Sequence, residues 1–158
     1  MRKASEMPRI DIDNLPVEVR TGYPAPYDKV VAGRSRKRLG NAVGLSQYGV
    51  NLTTLKPGAA SALRHWHEKE DEFVYVLLGE VTLVENEGET ILRAGDAAGF
   101  RAGVANGHHL VNHSAQDAVY LEIGSRMPGE IAHYPDVDLA MAKVDASYVY
   151  TRKDGSPV

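Results

Sequence analysis

Cysteine is absent from this 158-residue chain, which excludes disulfides, thiolate zinc sites and cysteine nucleophiles. Phenylalanine and tryptophan are scarce, with two of the first and one of the second. Long apolar runs are missing as well. The longest, Phe73 to Leu78, falls far short of the roughly 20 residues that span a bilayer as a helix. Met1 to Arg9 holds no apolar core of a secretion signal, and a cytoplasmic protein is expected. Nor is there a large excess of either charge. The formal net charge of −3 offers no general attraction to nucleic acid or to an anionic membrane. One basic cluster, Arg34, Arg36, Lys37 and Arg38, has no interleaved aromatics and is expected to be a solvated loop, not a phosphate contact.

What the chain does have is punctuation. Fifteen glycines and eight prolines favour many short strands over long helices, and 43% hydrophobic residues suffice for the core of one domain. Residues 1–43 are expected as an N-terminal arm, interrupted by Pro8, Pro16, Pro24 and Pro26. From Gln47 the pattern changes: Tyr48, Val50, Leu52 and Thr54 share one face of a strand that stops at Lys56-Pro57-Gly58. Further strands follow at Phe73–Leu78, Val81–Val84, Thr90–Arg93 and Ala118–Ile123, separated by turn residues. Residues 125–158 are expected as a second arm, with a helical turn or two at Asp138–Lys143. The central region, 44–124, therefore predicts an all-β sandwich or barrel.

Within it, Gly58 to Gly79 carries the chemistry. His65 and His67 are one residue apart, so on an extended chain both imidazoles project from one face. Glu68-Lys69-Glu70-Asp71 is long enough for a tight turn, and Glu72 then opens the next strand within reach of both histidines. Glu72 shares parity with Val74, Val76 and Leu78, and a carboxylate on a buried face is costly unless paired or metal-bound. Two imidazoles and a carboxylate make a nitrogen/oxygen site for a divalent first-row metal. A later stretch, His108-His109-Leu110-Val111-Asn112-His113, offers a further imidazole from either of two strand registers. His113 and His133 are expected to be ordinary hydrogen-bonded or exposed histidines.

These residues carry a resemblance. Gly58, His65-x-His67, Glu72 and Gly79 resemble the first signature of the cupin superfamily. Gly95, Gly103, His108 and Asn112 resemble its second signature, where the spacing to Asn112 selects His108 over His109. Two departures stand out: Arg101 replaces a proline, and four residues instead of two separate Gly103 from His108. The resemblance covers about residues 44–124. It implies a double-stranded β-helix (jelly-roll) cupin barrel with irregular N- and C-terminal arms. It also implies one divalent metal ion per chain, Mn, Fe, Co, Ni or Zn, held by His65, His67, Glu72 and His108. A homodimer is implied too, and the outward parity of Phe73, Tyr75 and Leu77 suits a covered face.

A site of this kind leaves positions open for the oxygens of a small-molecule ligand. The expected activity is metal-dependent isomerase or lyase chemistry on a polar or anionic oxygenated substrate, a sugar phosphate among them, ahead of oxygen-dependent cleavage. Arg101 motivates the anionic substrate, as a fork for carboxylate or phosphate, although a solvated loop arginine is the competing role. Tyr48 and Tyr120 are further acid/base candidates, each with core packing as the alternative. A non-catalytic, metal-dependent binding module is the second functional class.

Overall fold

A computed structural model describes residues 9–158; the first eight residues of the expected N-terminal arm lie outside this range. Among the described residues, twelve strands form three antiparallel sheets. The largest contains β1 (Arg34–Arg38), β2 (Tyr48–Leu55), β9 (Ala118–Ser125), β4 (Glu72–Leu78) and β7 (Ala97–Phe100), in that spatial order. The second contains β6 (Gly88–Arg93), β5 (Glu80–Glu85) and β8 (His109–Val111). The third contains β12 (Ser147–Thr151), β11 (Ala140–Val144), β10 (Ile131–His133) and the short β3 (Trp66–His67). Helical structure among the described residues is confined to a 3₁₀ turn at Tyr27–Val31 and the single-turn α1 (Leu39–Ala42). None of it is long and apolar enough to cross a membrane.

The first two sheets share one aliphatic core. Leu55, Val74, Val76 and Ala118 of the large sheet meet Val81, Leu83, Leu92 and Leu110 of the small one. Alternation along β4 buries Val74 and Val76 and leaves Phe73, Tyr75 and Leu77 on the outside. A register shift between Val76 and Leu78 breaks the alternation, so Leu78 is exposed despite sharing parity with Glu72. On β2 the inward residues are Thr53 and Leu55, which places Tyr48, Val50 and Leu52 on the outer face. Gly79 follows β4 with φ +73, and a Cβ there would meet the Asp117 carbonyl at 2.8 Å, so glycine is required at this turn.

Three expectations are corrected. The basic cluster is β1, not a solvated loop: Arg34 is buried with Nη1 donating to the Ser61 carbonyl, Arg36 pairs with Glu122, and Arg38 pairs with Glu18. Asp138–Lys143 contains no helical turn, because Ala140–Val144 is held in an antiparallel ladder by β10 and β12. The C-terminal segment is also less irregular than its prolines suggest. Its strands cover a second core, in which Tyr23 and Tyr27 of the N-terminal segment pack on Tyr134, Leu139 and Met141.

Asn112 ties the small sheet to the end of β2. Its fully buried amide donates to the carbonyls of Leu55 and Gln116 and accepts from the backbone and hydroxyl of Ser114. Asn112→Asp keeps the volume but removes both donors. It is expected to cost about 1–3 kcal/mol per stranded buried partner, read as a lowered midpoint in urea with an unchanged slope.

Candidate metal centre

His65 sits just before β3 and exchanges both backbone hydrogen bonds with His108, at 3.1 and 2.9 Å. Such a pair stands side by side as in an antiparallel ladder, and the two imidazole centroids lie 5.0 Å apart. His67, two residues on, projects on the same side, with its ring 4.9 Å from that of His65. β3 is too short to hold itself. It is fixed by the pairing of His67 with Ala132 and by Gly103, whose N–H donates to the His67 carbonyl at 2.8 Å. Glu72 enters from the first residue of β4, between Phe100 of β7 and Gly124 of β9.

The four side chains converge on one point. Glu72 Oε2 lies 2.7 Å from His108 Nε2, 3.4 Å from His67 Nε2 and 3.6 Å from His65 Nε2. The opposite ring nitrogens face acceptors: the Leu63 carbonyl at 2.7 Å for His65, Glu130 at 3.3 Å for His67, and the Asn106 carbonyl at 3.5 Å for His108. Hydrogens at Nδ1 leave the Nε2 lone pairs directed at a carboxylate oxygen. Lone pairs and anion facing one another require positive charge among them, and this donor set fits a first-row divalent cation. His109 turns the other way and is held at the Ala62 carbonyl at 2.8 Å, so the register brings His108 into the cluster and leaves His109 outside.

Without such a cation, protons take its place. Burial opposes a charged His67, but Glu72, Glu130 and Glu70 outweigh it and raise its pKa to about 9. Burial would likewise raise Glu72, yet hydrogen bonds from His108, His65 and His67 hold it well below the carboxylate range.

A cavity of about 310 Å³ adjoins the cluster, lined among others by Trp66, His67, Glu70, Phe100, Arg101 and His108. Phe100 stacks face to face on His108, with centroids 3.5 Å apart. Val104 and Asn106, within the lengthened turn before His108, form part of the wall. Of the other expected site residues, Arg101 lines this cavity, Tyr48 stands exposed on the outer face of β2, and Tyr120 is fully buried in the core, its hydroxyl without a partner among the described residues. His133 pairs with Glu68 and stacks on Trp66. Sequence reasoning missed Glu70, Phe100 and Glu130. Glu70 could be suspected from its place in the turn between His67 and Glu72, whereas Glu130 carries no local signal.

Comparison with known proteins agrees with this architecture. Residues 51–124 match the family model of the cupin domain. A structure from Silicibacter pomeroyi, described as a sugar phosphate isomerase from a cupin superfamily, is 44% identical over 96% of both chains, with a TM-score of 0.93. A second, from Acidithiobacillus ferrooxidans and provisionally described as a sugar phosphate isomerase, is 31% identical over 79% of this chain and 80% of its own, with a TM-score of 0.72. The polyketide cyclase RemF from Streptomyces resistomycificus shares the fold at 19% identity over 75% of this chain and 79% of its own, with a TM-score of 0.62. No curated protein matches the chain.

The shifted groups give a signed pH dependence for chelator-stripped protein. The raised His67 pKa contributes stability fully below the unfolded histidine value of roughly 6.5. That contribution is lost as pH rises through about 9. The depressed Glu72 contributes above the unfolded carboxylate range and loses its contribution at more acid pH. The metal-free melting temperature is therefore expected to fall between about pH 6.5 and 9, and His67→Gln to flatten that fall.

Proposed function

Because the chain belongs to the cupin superfamily, we propose that it is a metal-dependent isomerase acting by proton transfer on a small anionic sugar, a sugar phosphate being the substrate class best supported. The observation that carries this reading is the convergence of three Nε2 atoms on Glu72 beside a cavity that bears Arg101. The 44% identity to a protein described as a sugar phosphate isomerase supports it. His65, His67, Glu72 and His108 would hold one divalent ion. When bound, that ion supplies Lewis-acid polarisation of a substrate carbonyl or hydroxyl.

The remaining work falls to this chain's own residues. The Arg101 guanidinium would fork onto the phosphate and orient the sugar. Glu70 lines the cavity with a carboxylate oxygen within 4.8 Å of His67, and would take a proton from one carbon and return it to the next. The hydroxyl on the carbon that gives up this proton would lose its own to solvent, and the carbonyl oxygen on the receiving carbon would take one up to become the new hydroxyl. Phe100 and Val104 narrow the cavity against water.

The test is chelator-stripped protein loaded with Mn, Fe, Co, Ni or Zn and offered aldose and ketose phosphates in D₂O. Isomerisation with deuterium entering the product is expected with at least one metal. Glu70→Gln should lower kcat by about 10²–10⁴-fold. Arg101→Met should chiefly raise KM. Saturable binding with no turnover for any metal would overturn catalysis and leave a metal-dependent binding module.

The protein is also proposed to form a homodimer in the cytoplasm. Tyr48, Phe73, Tyr75 and Leu77 are each at least 40% exposed on the outer face of the large sheet, an apolar surface suited to a partner copy. No nucleic-acid role is proposed, since Arg34, Arg36 and Arg38 are engaged within the chain. Sedimentation should give twice the chain mass of 17.2 kDa, and Tyr75→Glu should shift it towards the monomer.

A further inference from the structure

Glu130 lies beyond the 51–124 stretch matched by the family model, in the segment expected to be an irregular arm. It is nonetheless completely buried, at 0% exposure, immediately before β10. A carboxylate so placed is costly unless donors surround it. Its donors all come from the end of β3 and the turn that follows. Oε1 accepts from the Glu68 N–H at 2.9 Å and faces His67 Nδ1 at 3.3 Å, while Oε2 accepts from the Lys69 N–H at 2.9 Å.

We propose that Glu130 is a positioning residue for His67. It accepts the Nδ1 hydrogen, fixes which ring nitrogen carries it, and so aims the Nε2 lone pair into the metal centre. This role rests on the metal-binding reading above.

The same residues also form a second cluster, His67, Glu70 and Glu130, close enough to hold a cation of its own. Most of its donor atoms are already engaged. Backbone amides hold both Glu130 oxygens, and Glu70 Oε1 accepts from the Met127 N–H at 2.8 Å with Lys143 Nζ at 3.4 Å. The ammonium of Lys143 supplies the positive charge that a second ion would bring. Bracing the turn, moreover, requires only the two amide bonds. The contact to His67 Nδ1 is additional, and it is directed at a ring whose far side joins the metal cluster.

The test compares zinc and cobalt affinities of the full-length parent, Glu130→Ala and Glu130→Gln by competition with a chromophoric chelator. Glu130→Ala should bind about 10–100-fold more weakly and shift the visible absorption of bound cobalt. Glu130→Gln, which retains one acceptor oxygen, should recover part of the loss. Unchanged affinity and cobalt spectrum in folded Glu130→Ala, even at a lower melting temperature, would overturn the proposal and leave metal binding intact. A parent that takes up no metal overturns the metal reading and this role together. If neither variant folds, nitrogen NMR of the zinc-loaded parent decides, with the His67 signal assigned by its loss in His67→Gln. A slowly exchanging hydrogen at His67 Nδ1 supports the role, and a hydrogen at Nε2 refutes it.

Discussion

The paired backbone hydrogen bonds between His65 and His108 join the two halves of the site, which lie far apart along the chain. They bring two imidazoles side by side without any help from the side chains themselves. His67 then follows from strand geometry, and Glu72 arrives because β4 is clamped between β7 and β9. Loss of that bridge would separate the later histidine stretch from the earlier pair, whatever side chains those positions carried.

The arms exist to serve this centre as much as to cover it. β3 has two residues, and β10 gives it a neighbouring ladder while carrying Glu130 up against the back of His67. On the other flank β1 buries Arg34 against the Ser61 carbonyl, at the start of the segment that leads to His65. Charge is thus taken out of water repeatedly near the site, and each instance is matched by a directed partner. Tyr120 and Thr53, opposite each other in register, keep hydroxyls without partners among the described residues.

The first motif was legible because its geometry is local. An i, i+2 pair followed by a short turn fixes three side chains with no knowledge of the fold. The choice between His108 and His109 is different in kind. Parity along β8 cannot say which face is inward until a partner strand sets the register, and here the bridge to His65 does so. The C-terminal strands were hidden for a related reason. β10 is three residues long and owes its conformation to β3 and β11, so no periodicity announces it. Glu130 is invisible for the same cause, since its donors lie about sixty positions upstream. In β1, alternating basic residues mimic a solvated stretch because their partners, Glu18 and Glu122, are brought in by tertiary pairing.

The lone tryptophan occupies an informative place. Trp66 lies between His65 and His67 in the sequence, lines the cavity, and stacks on His133 at 4.2 Å with planes 15° apart. Its indole emission therefore arises at the mouth of the site, uncontaminated by any second tryptophan. A change in what fills that mouth, or in the ring resting against it, alters the polarity and quenching the excited state experiences. The protein thus carries its own optical reporter, readable without a label.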